Sequence, residues 1–285
     1  RPLPRRRSGS CRRSGDRGTA GSGGPASPSQ VGVRPVADPP AGELAPVAAA
    51  EGVAVLPQPG SEPGRPGRRA VGGEEAVHQG VDLVAGALSE PLACCVHAVL
   101  ELTSVTAGDL VVVAGPGSIG LLCLQLARAA GATVIVAGTA TDSARLALAG
   151  RLGAAQAVDL SSQDLAQVVA DLTAGQGADV YFECSGAPAA ARQGLTITRR
   201  GGQYTQVGLF SRPFELAFDT IAYRELRVTG SLGQRSSSWR RGLALLGQGL
   251  VDTRSLVSHI LPLEDWQEAF HLVESREGLK VVLQP

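Results

Sequence analysis

The sequence is poor in the features that announce most functional classes. Its 26 basic residues are balanced by 26 acidic ones, for a formal net charge of zero. A balanced charge gives no overall field for nucleic acid or for an anionic membrane surface, so neither is expected as a partner. No apolar run approaches the roughly 20 residues of a membrane span, and no signal-peptide core follows the basic start. The five cysteines, Cys11, Cys94, Cys95, Cys123 and Cys184, have neither the spacing of a disulfide framework nor that of a zinc finger. Adjacent Cys94 and Cys95, and Cys123 in a helical stretch, read as small buried hydrophobes. A reducing compartment, most simply the cytoplasm, is expected.

A second absence divides the chain. Up to about Glu75 there is no aromatic residue and no isoleucine, only Gly, Pro, Arg and Ala in quantity, as in Gly64-Arg65-Pro66-Gly67-Arg68-Arg69. The longest apolar face there runs from Val47 to Leu56. Such a stretch buries too little apolar surface to offset the entropy of ordering it, so residues 1–75 are expected to be disordered. An Arg-rich, acid-poor start also suits a transit peptide or a basic arm for nucleic acid. The favoured reading is a third. Gly, Pro, Arg and Ala have codons made largely of G and C, and a GC-rich gene read out of frame yields this composition. With no initial Met, an artefact or a truncation is expected.

What the chain does have is concentrated at Leu110-Val111-Val112-Val113-Ala114-Gly115-Pro116-Gly117-Ser118-Ile119-Gly120. An apolar run of strand length ends in Gly-x-Gly-x-x-Gly, and an Ala/Leu-rich helical stretch from Leu121 to Ala130 follows. This is the pattern of a phosphate cradle. Gly115 permits the tight turn, Gly117 leaves the backbone open to a pyrophosphate, and Gly120 lets helix lie close on strand. The free N–H groups of the helix start, at Ser118 and Ile119, point at the anion.

Strand and helix then alternate in the rhythm of a doubly wound parallel α/β sheet. Strands are expected at Thr133–Ala137, Ala155–Val158, Asp179–Glu183, Gly202–Val207 and Leu226–Gly230. Helices are expected at Asp142–Ala149, Ser162–Leu172 and Ala187–Leu195, preceded by one from Ser89 or Glu90 to about Leu102. Leu243–Leu250 is a further helix. Beyond it come an extended segment Val257–Pro262, a helix Leu263–Glu274 and a strand Lys280–Leu283. Ligands of such sheets lie at the carboxyl ends of the strands. The candidate loops are therefore Gly138-Thr139, Cys184-Ser185-Gly186, Val207-Gly208-Leu209 and Ser231-Leu232-Gly233.

Four motifs occur together: Glu90-Pro91-Leu92-Ala93 with His97-Ala98, Gly115 to Gly120, Glu183-Cys184-Ser185-Gly186, and Gly278-Leu279-Lys280-Val281. In that order and spacing the chain resembles the zinc-containing medium-chain dehydrogenases, especially the sorbitol and threonine dehydrogenase branch, from about Val77 to the end. The resemblance implies a Rossmann domain over 76–255, and over 256–285 a return to a GroES-like catalytic domain. It implies zinc-dependent hydride transfer between an alcohol or polyol and NAD(P). In the family, zinc is held by a Cys and a Gly-His-Glu motif of the N-terminal domain. Here there is no Gly-His-Glu, and Cys11 is the only cysteine before Cys94, so the chain is expected to lack the zinc-ligand domain and to be inactive alone. Other readings are a non-catalytic nucleotide-binding module and a zinc-free quinone or enoyl reductase, the latter disfavoured by Glu90-Pro91-Leu92.

The resemblance places Glu90 near the zinc, as a ligand or through water; by itself it reads as a carboxylate near a helix start. His97, His259 and His271 read as packed or hydrogen-bonded histidines. NAD sites usually carry an acid about 20 residues past the glycines, to hold the ribose hydroxyls. Gly138 occupies that position, and Asp142 beyond it reads as a helix cap. Loss of the acid removes a repulsion, and Thr139, Thr141 and Arg145 suit a 2′-phosphate, so NADP is favoured over NAD. Rossmann domains of the family often pair through the last strand of the sheet, so a homo-oligomer through Leu226–Ser231 is expected. The tail residues Val257, Ile260, Leu261, Val281, Val282 and Leu283 are expected to be poorly covered.

Overall fold

The computed structural model describes residues 53–55 and 81–285. Val53–Val55 forms strand β1, and Leu83–Gly86 and Ser89–Val96 form helices α1 and α2. The run before the glycines is β2, Leu110–Ala114, and the helix after them is α3, Ser118–Ala129. There follow β3 (Thr133–Gly138), α4 (Ser143–Arg151), β4 (Gln156–Asp159) and α5 (Leu165–Thr173). Next come β5 (Ala178–Glu183), α6 (Pro188–Ile197), β6 (Thr198–Gln206) and α7 (Asp219–Tyr223). The remaining elements are β7 (Arg227–Gly230), α8 (Ser236–Gly247), β8 (His259–Pro262), α9 (Trp266–Glu274) and β9 (Val281–Gln284).

Six strands pair in parallel in the order β4-β3-β2-β5-β6-β7. The chain winds outward from β2 through β3 to β4, then returns to the other side of β2 to lay down β5, β6 and β7. A parallel strand covered on both faces reads as an unbroken apolar run, and β2 is buried at all five positions. Alternate side chains then serve opposite faces. Val111 and Val113 join α2 and α3 in one apolar cluster, while Leu110, Val112 and Ala114 join Leu165, Val169 and Leu195 in the other. Each buried Val or Leu contributes about 1.5–3 kcal/mol, so the central strand is the anchor of both layers.

Several elements differ from the reading of the sequence. The helix expected to run from Ser89 or Glu90 to Leu102 is α-helical only to Val96; His97–Leu102 is a π-helical turn. Helix α5 begins at Leu165 rather than Ser162, because the Asp164 carboxylate accepts the Ala166 N–H at 2.9 Å and caps it there. Helix α8 begins at Ser236, seven residues before the expected Leu243, and its polar first turns carry no apolar period to read. The short helix α7 was not expected.

The tail forms a separate three-stranded parallel sheet in the order β1-β9-β8. Part of the stretch expected to be disordered is thus a strand: Val53, Ala54 and Val55 pair with Val281, Val282 and Leu283. The backbone bonds of a central β9 supply what the composition of residues 1–75 does not. The rest of that stretch, Cys11 included, lies outside the described residues. Cover of the tail is correspondingly better than expected, since Val281, Val282 and Leu283 are buried while Ile260 on the edge strand stays exposed. Among the described residues no helix is long and apolar enough to cross a membrane.

Candidate functional site

The sheet order reverses between β2 and β5, and in folds of this kind the ligand crevice lies there, outside the carboxyl ends of the strands. Gly115 turns the chain out of β2 with φ +102°, while its N–H donates to the Ala137 carbonyl at 2.8 Å. A side chain at Gly115 would strike Ser185, whose Cβ lies 2.8 Å from the place of a Cβ. One turn into α3, a Cβ on Gly120 would run into the Gly115 carbonyl oxygen. At Gly117, the residue before α3, a Cβ would meet nothing within 4 Å, and no side chain caps the helix. No side chain of the protein thus satisfies the first N–H groups of α3, and the space beside Gly117 is free for a ligand to approach them. Two glycines pack the cradle shut from behind and the third leaves its front clear.

The floor of the crevice is organised by Glu183, the fully buried last residue of β5. Its Oε1 accepts the Ser185 N–H at 2.9 Å and the Ser185 hydroxyl; its Oε2 accepts the Gly186 N–H at 3.0 Å and the Gln206 amide at 2.6 Å. The same Gln206 amide donates to the Gly208 carbonyl at 2.7 Å, and its oxygen accepts the Tyr204 hydroxyl at 2.6 Å. One carboxylate thereby fixes the loops after β5 and β6. Tyr204 stacks on Tyr181, with centroids 5.6 Å apart. Burial and the adjacent Glu183 charge push both phenols above their usual range, so they remain protonated donors.

The residues expected at the site converge along this edge of the sheet. Gly115, Gly117, Ser118, Ile119 and Gly120 make the cradle, Gly138 and Thr139 end β3, and Cys184 follows β5. Val207, Gly208 and Leu209 follow β6, and Ser231 and Leu232 follow β7. Leu209 and Leu232 are exposed, while Ser231 is buried and its N–H donates to the Gln206 carbonyl at 2.9 Å. The neighbouring Cys123 thiol and burial push the Cys184 thiol well above its usual range. Arg145 is placed differently from an open phosphate ligand. Its Nη2 donates to the carbonyls of Arg276 and Gly278 at 3.3 and 3.0 Å, and its Nη1 lies 3.6 Å from Asp142.

Glu183 is visible in the sequence as the head of the motif Glu183-Cys184-Ser185-Gly186, but not its role as the hub of this network, and Gln206 carries no signal at all. Asp142, expected to cap the helix that follows, stands before α4 without bonding its N–H groups; its Oδ2 instead accepts the Thr139 N–H at 3.0 Å and the Thr139 hydroxyl at 2.8 Å, closing a capping box on the turn Ala140–Asp142. Glu90 stands exposed in the first turn of α2, with Oε1 3.3 Å from the Cys94 sulfur. Among the described residues no group of three or more His, Cys, Asp and Glu side chains is placed to hold a metal ion. A zinc site needs three protein ligands, so these residues do not fit one.

The strand order, the parallel register and the glycine cradle define a Rossmann-type α/β fold. Residues 118–248 match the family model described as zinc-binding dehydrogenase. Sorbitol dehydrogenase of Halalkalibacterium halodurans is 44% identical over 216 residues, covering 74% of this chain and 63% of that protein. D-arabitol-phosphate dehydrogenase of Enterococcus avium is 39% identical, covering 74% of this chain and 61% of that one. Among solved structures, 2R,3R-butanediol dehydrogenase of Bacillus subtilis superposes with a TM-score of 0.65 at 31% identity, over 72% of this chain and 58% of its own. A zinc-binding dehydrogenase of Sinorhizobium meliloti 1021, solved bound to NADP, gives 0.66 at 32% identity, over 72% and 60%. The chain belongs to the zinc-type medium-chain dehydrogenase family, through the cofactor-binding half of that fold. It spans about six tenths of the length of these curated relatives.

Proposed function

We propose that this chain binds NADP or NAD in the crevice between β2 and β5, as the cofactor half of a zinc-type alcohol or polyol dehydrogenase. The observation that carries the reading is the cradle: Gly117 has open space before it, while Gly115 and Gly120 admit no side chain. The pyrophosphate lies against the N–H groups of Ser118 and Ile119, and the loops at Gly138–Thr139, Cys184, Val207–Leu209 and Ser231–Leu232 hold the rest. A bound nicotinamide dinucleotide supplies a hydride acceptor or donor. The chain's own part is to bind it, orient it and keep Tyr181, Tyr204 and Glu183 rigid beneath it. The family's whole reaction, with a small alcohol or polyol substrate, is proposed for the intact assembly rather than for this chain alone. The absence of a three-ligand set among the described residues favours a second reading, a nucleotide-binding module without chemistry of its own.

The proposal extends to assembly and place. Strand β7 is an edge of the six-stranded sheet, and exposed Val228, with Leu232 and Tyr223 nearby, invites a second copy across it. A homo-oligomer is expected by light scattering at micromolar concentration, and a clean monomer would contradict it. Cys95, Cys123 and Cys184 are free thiols, which suits the cytoplasm we propose. Titration with NADPH and NADH tests the cofactor reading directly, and alcohol oxidation with and without added zinc separates the two readings. We expect saturable dinucleotide binding and no turnover. Zinc-dependent turnover by this chain would overturn the second reading, and absence of binding would overturn both.

A further inference from the structure

We infer that Asp142 is a specificity-determining residue: its carboxylate fills, from within the chain, the seat that a ribose 2′-phosphate would need. The inference rests on the dinucleotide reading above. In folds of this kind an acid at the end of the second strand holds the ribose hydroxyls and repels a 2′-phosphate. Position 138 cannot supply it without distortion. A Cβ there would lie 2.8 Å from Pro116 Cγ and 3.0 Å from Pro116 Cδ, and Pro116 belongs to the cradle itself. An acid introduced at Gly138 would thus disturb the pyrophosphate site it is meant to complement.

The chain brings in a carboxylate four residues later instead. Asp142 folds back so that Oδ2 accepts both the N–H and the hydroxyl of Thr139, at 3.0 and 2.8 Å. Its Oδ1 faces Arg145 Nη1 at 3.6 Å. Of the three donors expected to serve a phosphate at this strand end, Thr139 and Arg145 already face this carboxylate, and the Thr141 hydroxyl meets that of Thr139 at 2.9 Å. The other guanidinium nitrogen of Arg145 is engaged as well, its Nη2 donating to the carbonyls of Arg276 and Gly278. The side chains of Asp142 and Arg145 are only 14% and 21% exposed, so solvent screens the carboxylate weakly. A 2′-phosphate arriving here meets fixed negative charge, whereas a 2′-hydroxyl can donate to it. Asp142 therefore opposes the preference for NADP that the missing acid at Gly138 suggests.

Asp142→Asn tests this with little change of shape, since its amide oxygen still accepts the Thr139 N–H. Dissociation constants for NADPH and NADH would be measured on the full chain, with thermal midpoints to verify folding. The affinity ratio of NADPH to NADH is expected to rise by about tenfold, equivalent to roughly 1.4 kcal/mol. Asp142→Ser, which retains a short capping oxygen, serves if the first variant does not fold. A ratio unchanged from wild type, with both dinucleotides binding, overturns this inference and leaves the cofactor reading intact. Binding of neither dinucleotide by wild type overturns the cofactor reading, and this inference with it.

Discussion

Gly117 and Gly120 stand one turn apart, yet the same substitution has opposite consequences at the two. At Gly117 the backbone has φ −72° and ψ 179°, which any residue adopts, and a Cβ meets only open space. Gly117→Ala should therefore leave the thermal midpoint unchanged or slightly raised, by up to about 1 kcal/mol, while weakening dinucleotide binding. Gly120→Ala drives a methyl into the Gly115 carbonyl and should destabilise by roughly 1–3 kcal/mol, lowering the midpoint before any ligand is added. Paired thermal melts and NADPH titrations distinguish the two. Glu183 makes a third residue-scale test. Four donors converge on its two oxygens, and a glutamine there turns its own NH2 toward two of them. Glu183→Gln should cost about 1.5–3 kcal/mol, measured by denaturant unfolding, and should loosen the loops after β5 and β6 together. An unchanged unfolding midpoint would mean that the carboxylate does not organise the floor.

At the scale of elements, α2 and its π-helical continuation carry a polar seam toward α8. His97 Nδ1 meets Glu101 Oε2 at 2.8 Å, and the Ser238 hydroxyl donates to the same oxygen at 2.8 Å. Desolvation raises the Glu101 pKa, but the bonds from His97, Ser237 and Ser238 outweigh it and hold the carboxyl below its usual range. A depressed folded-state pKa contributes stability above the unfolded value near 4.3, and that stability is lost as pH falls through the folded value. Melting in acid should show this loss, and Glu101→Gln should flatten that limb while lowering stability at neutral pH by about 1.5–3 kcal/mol. The central strands and α3 were legible because an apolar run or an apolar period is written in local residues. The π turn, the early start of α8 and the pairing of Val53–Val55 were not, since each depends on partners distant in the chain. That last pairing carries its own expectation. Deleting residues 1–75 removes β1 and bares one edge of β9, so amide exchange at Val281–Gln284 should accelerate while Leu110–Ala114 is unaffected. Equal protection of the tail with and without those residues would contradict the pairing.

For the whole molecule, the doubly wound order gathers residues from five separate loops along one edge of one sheet. That much of the site could be read beforehand, because loops after parallel strands always share an edge once the strands alternate with helices. The buried hub at Glu183 and Gln206, and the folding back of Asp142 onto Thr139, could not, because neither is a spacing in the sequence. The central claim is that these loops form a single dinucleotide crevice, and amide hydrogen exchange with and without saturating NADPH tests it most directly. Slowed exchange is expected together at Gly117–Gly120, Thr139, Cys184–Gly186 and Val207–Leu209, with β8 and α9 unchanged. Protection confined elsewhere, or none at any of the four, would contradict it.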